Sequence, residues 1–134
     1  MKEPQLSSSS LRVRYAETDQ MGVAYHGNYF AWFEVGRTDL LRGLGMTYRD
    51  LEAQDVRLPV IETHVRFLKP ALYDDTLEIR TRLVEMTGVR LVFEYDVHRS
   101  ADAATLARGT TSHAAVDARG RPRRLPEELR ARLA

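Results

Sequence analysis

Alternation of apolar and polar residues marks much of the chain as strand. Leu11–Ala16 alternates apolar with basic residues and predicts a first strand. Thr76–Met86 sets Leu77, Ile79 and Leu83 against Glu78, Arg80 and Arg82. Thr87-Gly88 then predicts a turn, after which Val89, Leu91, Phe93, Tyr95 and Val97 form the inward face of another strand. Ala104–Asp117 predicts a last strand of mainly small residues. Val56–Leu68 predicts a long strand whose apolar phase changes midway: Val56, Leu58 and Val60 share one parity, while Ile61, Thr63, Val65 and Phe67 share the other. A bulge near Pro59–Ile61 would produce that switch.

Two intervening stretches and the C-terminal one break the alternation. Phe30, Phe33, Leu40, Leu41 and Leu44 recur near helical spacing and predict a helix over Asn28–Leu44, with Asn28 as N-cap and Gly43 and Gly45 at its end. Thr47–Ala53 predicts a short helix capped by Thr47. Leu125–Leu133 predicts a terminal helix, opened by Pro126 and carrying Glu127 and Glu128 at its positive end. Strand, long helix and four strands joined by short turns give an antiparallel sheet and an α+β class.

Composition narrows the picture mainly by exclusion. A chain of 134 residues is one domain by size, with residues 11–134 expected as that domain and the serine-rich Met1–Ser10 as a flexible N-terminal tail. Hydrophobic residues make up 43%, enough for an ordinary core, and a net charge of +1 gives no pull toward nucleic acid or acidic membranes. No cysteine is present, which excludes disulfides, thiolate metal sites and a Cys nucleophile. No apolar run suggests stable membrane insertion, and the first ten residues are too polar for a signal peptide, so a cytoplasmic location is expected. There is no Walker loop and no Gly-x-Gly-x-x-Gly. His64, His98 and His113 lie on separate predicted strands without metal spacing, so no metal site is expected.

The stretch from Glu17 to Tyr29 carries the chemistry. It places Asp19 after a strand-like run, then crosses a glycine-containing connection to the predicted helix start at Asn28. A carboxylate facing a helix N-terminus pairs a base or nucleophile with N–H donors for a developing negative charge. Taken alone, Asp19 reads rather as a residue bonded to its own loop backbone. Asp19, Gly22, Tyr25, His26, Asn28 and Tyr29 follow Arg14-Tyr15, and Trp32-Phe33-Glu34, Arg37, Phe67-Leu68-Lys69-Pro70, Tyr73-Asp74-Asp75, Gly109, His113, Asp117 and Gly120-Arg121-Pro122 come after in order. This series resembles the hotdog-fold acyl-CoA thioesterases, in the branch of 4-hydroxybenzoyl-CoA thioesterase and the Tol-Pal-associated thioesterases, from about Leu11 to Leu125.

The resemblance implies a five-stranded antiparallel sheet wrapped around one long central helix. It implies hydrolysis of acyl-CoA to free acid and CoA, without a cofactor. Asp19 would act as nucleophile or as general base toward water, and backbone N–H groups around Tyr25–Asn28 as oxyanion donors. Tyr25 and His26 join Asp19 in the catalytic set. His26 would donate to the thioester oxygen, orient water or line the pocket. Tyr25 suits a pocket wall better than an acid, since a phenol titrates near ~10. Gly22, Asn28, Tyr29 and Lys69 are expected on the substrate site, with Gly22 and Gly27 serving backbone geometry. Glu34 is the rival carboxylate, otherwise a partner for Arg37, and Glu17 a support or subunit-contact residue. Arg121, Arg123 and Arg124, clustered with Arg119, suit the CoA phosphates, or form an ordinary solvated surface. Relatives build the site between subunits, so a homodimer or a tetramer of two dimers is expected. The alternatives are a hotdog dehydratase or hydratase acting on acyl thioesters, and a noncatalytic acyl-thioester-binding protein.

Overall fold

A computed structural model describes residues 6–133. Five antiparallel strands form one sheet in the order β1-β3-β4-β5-β2: β1 (Leu6–Arg12), β2 (Val60–Phe67), β3 (Thr76–Met86), β4 (Arg90–Arg99) and β5 (Thr105–Ala114). The helices are α1 (Asn28–Gly43), α2 (Tyr48–Ala53) and α3 (Glu127–Leu133). This is the expected α+β hotdog arrangement, with the sheet curled about α1.

Side-chain alternation places the core on one face of the sheet. Leu77, Ile79, Thr81 and Leu83 of β3, and Leu91, Phe93, Tyr95 and Val97 of β4, are buried beneath α1. The helix buries Tyr29, Trp32, Phe33, Gly36, Leu40 and Leu41. Phe30, expected on that face, is exposed, because the buried stripe runs through Tyr29, Trp32 and Phe33 instead. Two glycines permit the close packing. A Cβ on Gly36 would lie 2.2 Å from Thr81 Oγ1, and one on Gly109 would lie 2.6 Å from the Phe33 ring. Phe33 also stacks on Tyr95 with ring centroids 4.3 Å apart.

Four expectations about the elements need correction. Leu6–Ser10 is not a tail: it is most of β1, paired residue by residue with β3, while positions 1–5 lie outside the described residues. The first strand accordingly ends at Arg12, and Tyr15–Glu17 is a 3-10 turn. Asn28 is not the cap of α1. Gly27 occupies that position with φ −61 and ψ −24, so helical geometry begins early, and the Asn28 side chain reaches back to Glu17. The long strand begins only at Val60, though its register does shift between Val60 and Glu62, as the phase change predicts. The Thr47 cap, β3 and its following turn stand where expected, and the terminal helix starts at Glu127, two residues late.

β1 and β2 are the two edges of the sheet. Among the described residues β2 pairs only with β5, and Val60, Ile61 and Phe67 on it are exposed. A buried polar chain stabilises the neighbouring region. His113 Nδ1 bonds the Leu58 carbonyl at 2.9 Å, His113 Nε2 bonds Thr111 Oγ1 at 2.8 Å, and Thr111 Oγ1 bonds the Tyr95 hydroxyl at 2.7 Å.

Candidate active site

Asp19 sits on a short loop that leaves the 3-10 turn and returns to α1. The loop closes on itself: Asp19 N–H donates to Val23 O at 2.9 Å and Gly22 N–H to Asp19 O at 3.0 Å. Gly22 has φ +80, the left-handed conformation this turn requires and that glycine tolerates without a Cβ clash. One carboxylate oxygen of Asp19 accepts Met21 N–H at 2.9 Å. The loop bond of an Asx turn is therefore present, and the other carboxylate oxygen has no partner among the described residues.

The loop borders a cavity of about 300 Å³ lined by Asp19, Val23, Ala24, His26, Tyr29 and the Phe67–Pro70 run at the end of β2. Ala24 N–H donates to Ala71 O at 2.8 Å, which ties the loop to the segment after that run. Tyr29 and Phe67 meet edge to face with centroids 5.0 Å apart, giving the cavity an aromatic side. Burial raises the Tyr29 phenol above its ordinary value, against a smaller opposing hydrogen bond from the Ala71 backbone. At neutral pH that side chain is a neutral wall.

Backbone donors at this cavity can be accounted for one by one. The N–H groups of Asp19, Gly22, Ala24 and Tyr25 bond to carbonyls, as do those of Asn28, Tyr29 and Phe30. Like that of Val23 in the loop, the N–H groups of His26 and Gly27 have no acceptor among the described residues. They stand at the positive end of the 16-residue α1, beside the cavity that His26 lines. A carboxylate oxygen and unpaired amide donors on one apolar cavity suit a carbonyl carbon that becomes tetrahedral.

The remaining sequence candidates divide. Lys69 lines the cavity with Asp19, His26 and Tyr29. Tyr25 does not; it is exposed, its ring 4.4 Å from that of His26. Gly22 and Asn28 shape the loop without lining the cavity, and Asn28 Nδ2 donates to Glu17 O at 2.7 Å. Glu34 is exposed on α1 away from the cavity lining, and Arg37 donates to Tyr48 Oη at 3.1 Å instead of pairing with it. Arg121, Arg123 and Arg124 lie near the opposite end of β2, where Val116 bridges both Arg57 and Pro122. Arg123 donates to Gln54 O at 2.9 Å, and Arg124 covers Gly88. Sequence reasoning named the Phe67–Pro70 run but assigned only Lys69 to the substrate. The apolar residues around Lys69 at the end of an edge strand were the signal for the rest.

A larger concavity of about 480 Å³ lies elsewhere on the sheet, lined in part by the paired Arg82 and Glu94 and the paired Arg108 and Asp96. None of the residues expected at the catalytic or substrate site lines it. Among the described residues, no three His, Asp or Glu side chains converge as a metal-binding group, and no helix is long and apolar enough to cross a membrane.

Comparison with known proteins agrees with the residue pattern. The thioesterase-like superfamily matches residues 13–133. The putative acyl-CoA thioesterase YneP of Bacillus subtilis is 39% identical over 112 residues, covering 84% of this chain and 80% of its own. A hypothetical protein, TT1821 from Thermus thermophilus, superposes with a TM-score of 0.90 at 39% identity, over 95% of this chain and 96% of its own. A DHNA-CoA thioesterase from Staphylococcus aureus superposes with a TM-score of 0.86 at 34% identity, over 90% and 80%.

Proposed function

The chain belongs to the thioesterase-like superfamily, and on that premise we propose that it hydrolyses acyl-CoA thioesters to a free acid and CoA. One observation carries the reading: Asp19 and His26 line the same cavity, and the N–H groups of His26 and of the adjoining Gly27 at the start of α1 are unpaired among the described residues. The free Asp19 oxygen attacks the thioester carbon, or takes a proton from a water that does so. The two amides receive the oxyanion, and its collapse expels the CoA thiolate, which gains a proton on leaving. In the covalent form, water then cleaves the acyl-aspartyl anhydride and returns the carboxylate. Val23, Tyr29 and Phe67 hold the acyl portion.

The working unit in this reading is a homodimer. β2 offers an unpaired backbone edge, and Phe30 and Val35 of α1 add exposed apolar surface. Antiparallel pairing of two β2 strands runs one subunit's Val60 end beside the other's Phe67 end. The arginine segment, roughly 25 Å from the cavity of its own chain by strand length, then approaches the partner's cavity. That places Arg121 and its neighbours toward the phosphates of a CoA bound next door.

The test is thiol release from aliphatic and aromatic acyl-CoAs, with hydration of crotonyl-CoA run in parallel. Thiol release without hydration is expected. Hydration alone would favour the dehydratase-type alternative, and binding without either reaction a noncatalytic role.

A further inference from the structure

Glu17 is a buried carboxylate that the reaction itself does not use. Its side chain is only 9% exposed. One oxygen accepts Arg14 N–H at 2.8 Å and the other accepts Trp32 Nε1–H at 3.0 Å. Its main-chain carbonyl accepts Tyr25 N–H at 2.8 Å and Asn28 Nδ2–H at 2.7 Å. A single residue thus joins the chain before the Asp19 loop, the segment carrying His26 and Gly27, and the first and second turns of α1. Thr18 alone separates it from Asp19.

We propose that Glu17 is a positioning residue: it locks the Asp19 loop to the N-terminus of α1 and so sets the placement of the carboxylate against the His26 and Gly27 N–H groups. The inference rests on the thioesterase reading for its kinetic consequence. The two halves of that site belong to different segments, and the loop bonds of Asp19 orient it only within its own turn. Glu17 supplies the bonds across the gap. Burial works against its ionised form, but the hydrogen bonds from Arg14 and Trp32, with the Arg14 guanidinium 3.4 Å away, hold its carboxyl below the ordinary range. The latch is therefore charged throughout the neutral range. An amide in its place presents one oxygen and one NH2 to two donors, so Glu17→Gln must lose either the Arg14 or the Trp32 bond.

Trp32 is the sole tryptophan, so its indole N–H resonance reports the latch directly. Glu17→Gln and Trp32→Phe are compared with wild type by steady-state kinetics on an acyl-CoA, by thermal unfolding and by 15N NMR. Misplacement of reacting groups at the ångström scale costs up to about a hundredfold. Each variant should lower kcat about ten- to a hundredfold, change KM less than about twofold, and add little when combined, because both cut one link. In Glu17→Gln, the indole N–H and the amides of Asp19, His26 and Gly27 should move. A lowered melting temperature with unchanged kcat per folded molecule would overturn the proposal, as would unmoved Asp19 and His26 amides. If wild type releases no thiol from any acyl-CoA, the thioesterase reading fails. The amide response then still decides whether Glu17 joins the two segments.

Discussion

Asn at position 19 keeps an oxygen for the Met21 N–H but removes the base, so Asp19→Asn separates chemistry from loop structure. Turnover should fall about 10²–10⁴-fold, the usual cost of losing a positioned base, with an unchanged circular dichroism spectrum. Near-wild-type hydrolysis would shift attention to another carboxylate, Glu34 first. His113 gives a second residue-scale prediction. Burial foremost, with a smaller push from the Arg37 charge, lowers its pKa from 6.5 to about 4 despite the opposing Leu58 bond. Leu58 O can only accept, so Nδ1 carries the proton and Nε2 accepts from Thr111. The folded protein therefore holds fewer protons than the unfolded chain between those two pKa values. Its contribution to stability is complete above about pH 6.5 and is lost as pH falls toward about 4, by about 3 kcal/mol at ~1.4 kcal/mol per pH unit. Urea unfolding at pH 7.5 and pH 5 should show the decline. His113→Leu, less stable at both, should show a smaller difference between them.

Helix α1 meets β3 where Gly36 faces Thr81, and that contact fixes how deep the helix sits in the sheet. Gly36→Ala should destabilise the fold by about 1–3 kcal/mol, the usual cost of overpacking. Thr81→Ala should recover much of this, since the buried Thr81 hydroxyl has no hydrogen-bond partner to lose. Denaturant unfolding of both single variants and the pair would measure the coupling. Elements whose side chains alternate between core and solvent were legible in the sequence, as β3 and most of β4 show, and α2 was legible through its Thr47 cap. β1 was not, because a serine run carries no hydrophobic alternation and its strand state comes from pairing with β3. The cap of α1 was misplaced because Asn28 satisfies a distant carbonyl, a tertiary bond that local propensity does not contain.

At the scale of the whole molecule, the candidate site joins what is near in sequence to what is far. Asp19, His26 and Tyr29 fall within one short stretch, which is why a sequence pattern could name them together. The choice of His26 and Gly27 among the local amides could not be read that way, because it depends on which N–H groups tertiary bonds already occupy. The arginines were grouped by composition, whereas β2 separates them from the cavity of their own chain. Replacing Arg121, Arg123 and Arg124 together by Gln should raise KM for acyl-CoA and flatten its salt dependence, with kcat changed less. An acyl N-acetylcysteamine, which lacks the nucleotide, should be hydrolysed equally by both proteins. Equal damage to both substrates would give the arginines a purely structural role. Sedimentation should show a dimer or larger species, and Ile61→Glu on the free edge should shift it toward monomer with loss of activity. The bare β2 edge also bears on biogenesis. If the dimer proposed above forms through β2, a newly made subunit carries an open, partly apolar strand until it meets a copy of itself, and until then that strand is open to pairing with other extended chains. Because the meeting rate rises with subunit concentration, scarce synthesis leaves each chain unpaired for longer, and sparse expression in a crowded cell becomes a greater hazard to it than abundance.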